Sequence, residues 1–149
     1  MSVSFDVFVG AFLEKITERD LLALAPQERD ETVLGYMKRA ISGFKKNCRY
    51  DLTTTRDDEN RIFDVEIDGE DLDEVADIVS EGMIVQWLKP YVYRQELLEN
   101  AINTRDFTTY SPAELLMRVG NAYAAAQKDY RQMVREYSFN TGDLGGLHL

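Results

Sequence analysis

The sequence predicts an all-α fold: a small bundle of about four main helices, an irregular loop with a short strand or hairpin, and an extended C-terminal tail. Two observations carry this. Apolar residues recur at three- and four-residue steps in four separate stretches. Three of the nine glycines fall near the end, at Gly142, Gly145 and Gly146, where they break the last helical pattern.

The first pattern runs from Ser4 to Ile16, with Phe5, Phe8, Phe12 and Ile16 on one face. Those aromatics suit a core anchor or a partner-binding face. The second starts near Pro26, because proline tolerates a first helical turn. Its stripe is Val33, Leu34, Met37, Ala40, Ile41 and Phe44, and it ends on the basic pair Lys45 and Lys46. The Leu21–Leu24 run before it reads as a short helical turn. From Asn47 to Asp68 the helical period fails. Thr53–Asn60 is a polar loop, and Ile62–Ile67 alternates weakly, as a short strand or as an arm pairing with a neighbouring chain.

The third helix begins near Glu70, with Asp71, Asp73 and Glu74 at its N-terminal turn, where the helix dipole favours negative charge. Leu72, Val75, Ala76, Val79, Met83, Trp87 and Leu88 form its core stripe, so Trp87 is expected to be largely buried. Pro90 ends or kinks it. Leu97, Leu98 and Ile102 suggest helix beyond. The fourth helix opens on a capping box of Ser111, Pro112 and Glu114 and runs to about Tyr137. The chain thus divides into a helical domain, 1–137, and an arm, 138–149.

A net charge of −10 opposes gripping a phosphate backbone or an anionic membrane. It favours solubility or basic partners. The chain's one cysteine, Cys48, excludes an intrachain disulfide and a multi-cysteine zinc site. The N-terminal residues lack the basic region of a secretory signal, and no apolar run approaches ~20 residues. Asp64, Glu66, Asp68 and Gly69 mimic the start of a calcium loop. The twelfth position is Val75 instead of glutamate, so no metal site is expected there. The sole histidine, His148, is next to last, and no glycine-rich phosphate loop exists. No catalytic residue and no cofactor are expected.

The last helix carries a seam of Leu116, Val119, Tyr123, Ala126, Tyr130, Met133 and Tyr137. A buried tyrosine hydroxyl needs a partner, and tyrosine and methionine are enriched at interfaces. Tyr123, Tyr130 and Met133 therefore stand either as a subunit interface or as the core face of an amphipathic helix. The small residues Gly120 and Ala124 would let another backbone approach closely. The tail places Phe139, Leu144, Leu147 and Leu149 between glycines. Such a segment builds no core of its own, and ordering it costs roughly 1–2 kcal/mol per residue in backbone entropy. Pockets on another chain would supply what it lacks.

From about Ala40 onward the chain resembles the helical adaptor, or head–tail connector, proteins of tailed bacteriophages. The likeness rests on Arg49-Tyr50-Asp51-Leu52 with the Arg56–Glu59 loop, and on Met83-Ile84-Val85-Gln86-Trp87-Leu88-Lys89-Pro90. It continues in Arg105-Asp106-Phe107, in Tyr110-Ser111-Pro112-Ala113, and in Tyr137–Leu144. The resemblance implies a non-enzymatic virion protein that forms a ring beneath the portal in the phage neck, assembled in the host cytoplasm. It implies three kinds of partner: the portal protein, neighbouring copies in the ring, and a stopper or tail-completion protein. DNA would pass through the lumen without specific binding, which the acidic charge suits. Tyr137, Phe139, Leu144, Leu147 and Leu149 would then dock on the portal or a neighbouring subunit. The alternative is an acidic helical regulatory protein that binds or inhibits a host protein.

Overall fold

The computed structural model describes residues 2–19, 30–93 and 112–140. They form β1 (Val3–Ser4), α1 (Phe5–Glu18), α2 (Asp30–Phe44), β2 (Arg56–Asp57), β3 (Ile62–Phe63), α3 (Gly69–Tyr93) and α4 (Pro112–Asn140). The chain is a small all-α bundle with a minor three-stranded sheet. The expected features at Leu21–Leu24, Pro26, Leu97, Leu98, Ile102 and Ser111 lie outside the described residues, as do Leu144, Leu147, His148 and Leu149 of the tail.

Ser4 starts α1 as its N-cap: its hydroxyl accepts from the Asp6 amide at 3.1 Å, satisfying one of the open N–H groups of the first turn. Phe5, Phe8, Phe12 and Ile16 are all buried, as their spacing predicts. Phe63 packs on Phe5 and Phe8, with ring centroids 4.9 and 5.4 Å away. Phe12 meets Trp87 edge-on at 5.8 Å.

The weakly alternating Ile62–Ile67 stretch is a strand only at Ile62–Phe63. That strand sits between β1 and β2, antiparallel to both, with Val3 and Arg56 opposite Phe63. Its partners lie in the same chain, which replaces the reading of an arm offered to a neighbour. Asp57 closes the hairpin by accepting from the amides of Glu59 and Asn60, each at 3.1 Å. Arg61 completes the turn in the left-handed region, at φ 58°.

α1, α2 and α4 all pack against α3. From Val75 to Leu88 every α3 residue except Asp77 and Gln86 is buried. The expected single stripe is thus too narrow: Ile78, Ser80, Glu81, Gly82, Ile84 and Val85 are interior as well. Trp87 is fully buried, and its indole N–H finds no acceptor among the described residues. Pro90 does not end the helix, which continues to Tyr93. Lys89 and Pro90 are exposed, so the hydrogen bond lost at proline falls where α3 leaves the core.

The α4 seam faces this same core. Val119, Tyr123, Ala126 and Tyr137 are buried, and Leu116, Tyr130 and Met133 pack partly against them. The helix runs through Tyr137 to Asn140, so the first three residues of the expected arm are helical. Two glycines make the approach of α4 possible. A Cβ built on Gly43 would stand 2.7 Å from the Tyr130 hydroxyl. One on Gly82 would stand 2.7 Å from the Tyr130 ring and 2.8 Å from the Ala40 methyl. Gly35, in contrast, has open space around its Cβ position. Substitution by alanine at the two sites should therefore change stability in opposite directions. In thermal or urea unfolding, Gly82→Ala is expected to lose about 1–3 kcal/mol through overpacking, and Gly35→Ala to gain roughly 0.5–1 kcal/mol through helix propensity. Equal effects at the two sites would remove Tyr130 from its niche.

Candidate functional site: the α4 seam and a buried carboxylate

The three seam tyrosines reach partners within their own chain. Tyr130 donates to the Ala40 carbonyl at 2.7 Å, ninety positions away in sequence. Tyr137 stacks edge-on against Phe44, with centroids 5.0 Å apart, and its hydroxyl accepts from the Arg49 amide at 3.2 Å. Tyr123 lies against Tyr93, with centroids 6.3 Å apart, and accepts from the Gln127 side chain at 3.0 Å. Burial pushes Tyr130 and Tyr137 up to about 12, and it raises the Cys48 thiol as well. These groups hold their protons at neutral pH, so they serve as hydrogen-bonding and packing groups there.

The residues expected at partner contacts take the following places. Tyr137, expected at the root of a docking arm, is fully buried and fastens α4 to the turn after α2. Tyr123 is 8% exposed and belongs to the core. Tyr130 is wedged between helices, and Met133 is half-buried against the core. Of the described docking residues, Phe139 alone presents a large surface, at 58% exposure. Gly120 has open space at its Cβ position, and Ala124 is exposed, so nothing described approaches that face closely.

Sequence reasoning missed a polar junction where α1, α3 and α4 meet. Glu81 sits inside α3 with only 2% of its side chain exposed. Arg19 grips both of its oxygens, at 2.5 and 2.6 Å, and Lys15 adds a third contact at 3.0 Å. Lys15 also pairs with Asp77 at 2.6 Å. Burial alone would raise the Glu81 pKa, but the hydrogen bonds and charges of Arg19 and Lys15 overcome it and hold the carboxyl below its ordinary value. Glu81 in turn raises the Arg19 guanidinium against its own desolvation. A single acid at Ser80-Glu81-Gly82, inside an otherwise apolar run, was the one signal of this junction in the sequence.

Beside it, an open groove of about 780 Å³ separates α1 from α3, with Val7, Gly10, Glu14, Asp73 and Asp77 among its walls. Asp64, Glu66 and Asp68 are exposed, and no group of ligating side chains among the described residues is placed to hold a metal ion. No helix among the described residues is long and apolar enough to cross a membrane. No protein-family model, curated protein or solved structure matches this chain.

The Glu81 junction makes a pH-dependent contribution with a definite sign. A carboxyl whose folded pKa is lowered stabilises the fold above its unfolded value, about 4.3, and loses that contribution as pH falls toward the folded value. Glu81→Gln is therefore expected to cost about 2–3 kcal/mol at pH 7, below the fully buried range because Arg19 is 32% exposed. The deficit should shrink as the pH is lowered from about 5. Urea unfolding of both proteins at pH 7 and pH 3 measures it. A deficit that stays constant or grows toward acid would contradict the assignment.

Proposed function

We propose that this chain is a non-enzymatic connector protein of a phage neck. In this reading it forms a ring under the portal and links the DNA-filled head to a stopper or tail-completion protein. The observation that carries the reading is the resemblance from Ala40 onward, together with where its segments lie. Met83–Leu88 belongs to the enclosed part of α3, and Arg49–Leu52 is the turn to which Tyr137 fastens the end of α4. Beyond that anchor the chain continues past the exposed Phe139 into the glycine-containing residues that the resemblance assigns to portal docking.

The division of labour follows. Tyr123, Tyr130, Met133 and Tyr137 hold the bundle together, while Phe139, Leu144, Leu147 and Leu149 dock. An extended segment gains affinity by placing alternate side chains in pockets and by pairing its backbone with a partner. The acidic surface keeps DNA moving through the lumen, because like charge disfavours phosphate contacts.

Pull-down of the cognate portal protein by the full chain and by a chain lacking Ser138–Leu149 tests both parts. The full chain is expected to bind. The truncated chain should keep its helical circular dichroism and lose portal binding at least tenfold, because Tyr137 and its anchor remain. Equal binding by the truncated chain would overturn the arm. Failure of the full chain to bind, together with its absence from purified virions, would overturn the connector reading in favour of an acidic regulator of a host protein.

A further inference from the structure

The charges of this chain are segregated as well as unbalanced. Thr32–Tyr50 carries Lys38, Arg39, Lys45, Lys46 and Arg49 and no carboxylate, in a chain of net charge −10. Arg39 is exposed on α2, and Lys45 and Lys46 are exposed in the turn that follows it. Lys38 reaches Asp58 at 3.6 Å and Arg49 reaches Asp71 at 3.5 Å. Lys45 lies in the electrostatic reach of Asp51 without a direct ion pair, and Arg39 and Lys46 have no ion pair among the described residues.

The complementary surface is the groove between α1 and α3. Glu14, Glu18, Asp73 and Glu74 line it, all exposed and without an ion pair among the described residues. Its one cation among the described residues, Lys15, is taken up by Asp77 and Glu81. Glu14 and Glu18 stand four residues apart on α1, and so do Asp73 and Asp77 on α3; such like-charge pairs destabilise a helix. Glu18 also sits at the negative end of the α1 dipole. Cations from outside would relieve both costs. The floor at Gly10 has open space at the Cβ position, so no described side chain stands there in the way of a neighbouring chain.

We infer that this chain docks head to tail on a second copy of itself, the basic end of α2 (Arg39, Lys45 and Lys46) seating at the acidic α1–α3 groove (Glu14, Glu18, Asp73 and Glu74). A contact between two different surfaces is heterologous. Each added copy leaves one basic end and one groove free, and the series closes when its rotation forms a ring. The inference deepens the connector reading and rests on it for the ring, while the pairing of the two surfaces comes from their charge and exposure.

The test mixes ¹⁵N-labelled and unlabelled full-length chains at low salt and joins contacting amines and carboxylates with a zero-length carbodiimide. Mass spectrometry is expected to find mixed-isotope links from Lys45 or Lys46 to Glu14, Glu18, Asp73 or Glu74. These links should fall roughly tenfold near 1 M salt, where the screening length is about 3 Å. The Lys45→Glu/Lys46→Glu chain, its helical circular dichroism unchanged, should lose its self-links. Mixed with Glu14→Lys/Glu18→Lys chains, it should regain links between the substituted sites. Absence of mixed-isotope links, or links spread evenly over other exposed carboxylates, would overturn the inference. If the charge-reversed chain still joined the portal ring as well as the wild type, the contact would fall and the connector reading would stand. If the links formed as expected but the chain never bound a portal, the contact would stand and the connector reading would fall.

Discussion

Between Val75 and Leu88 the third helix has almost no solvent side, and the architecture of the bundle follows from that enclosure. Each neighbouring helix must cover a different sector of α3, so α1, α2 and α4 all pack on it. Enclosure also restricts which residues α3 can hold. A large side chain at Gly82 would collide with Tyr130 and Ala40. An acid at position 81 requires cations close by, because an unpaired buried carboxylate costs several kcal/mol. Lys15 and Arg19 meet that requirement from the C-terminal end of α1, which ties the N-terminal helix to the centre by charge as well as by its phenylalanines.

The tyrosines of α4 solve a related problem where that helix meets α2 and α3. A phenol brings a large apolar ring to a helix contact together with one polar atom that must be satisfied. Here Tyr130 spends its hydroxyl on the Ala40 carbonyl, and Tyr137 spends its own on the Arg49 amide. α4 is therefore fastened at two points to α2 and the turn after it. Among the described residues, what remains outside includes the charged faces of α1, α2 and α3, the outer face of α4, and Phe139 near its end. An acidic chain with a confined basic block is suited to association that is steered by charge and set by geometry.

Much of the fold was legible in the sequence, and the reasons differ from element to element. Phe5, Phe8, Phe12 and Ile16 stand out because the three phenylalanines of α1, continued by Ile16, recur at three- and four-residue steps, so the period is clear. Trp87 was legible as a core residue because it falls one turn beyond Met83 on the apolar positions that start at Leu72. The full burial of α3 was not legible from a stripe, because a helix covered on every side loses the contrast on which periodicity depends. Pro90 reads as a stop signal, yet it lies where the helix is already leaving the core and the cost is low enough for α3 to run on to Tyr93. The two-residue strands are too short to show alternation, and the pairing of Val3 with Phe63 joins residues sixty positions apart. The same distance problem hid the partners of the tyrosines. Spacing places Tyr130 and Tyr137 on one face, but whether that face meets its own chain or another depends on Gly43, Gly82 and Arg49, far away in sequence. Glu81 was missed because a stripe reading does not ask whether a lone acid inside an apolar run is covered.

The enclosure of α3 is open to direct measurement by native-state hydrogen exchange. If α3 is the element on which the other helices depend, the amides from Ile78 to Trp87 should exchange only through global unfolding. Their protection should equal the full unfolding free energy, with α1 and the ends of α4 opening at lower cost. Exchange of the Ile78–Trp87 amides through a cheaper local opening, while α1 or α4 stayed protected, would contradict the dependence of the bundle on its central helix.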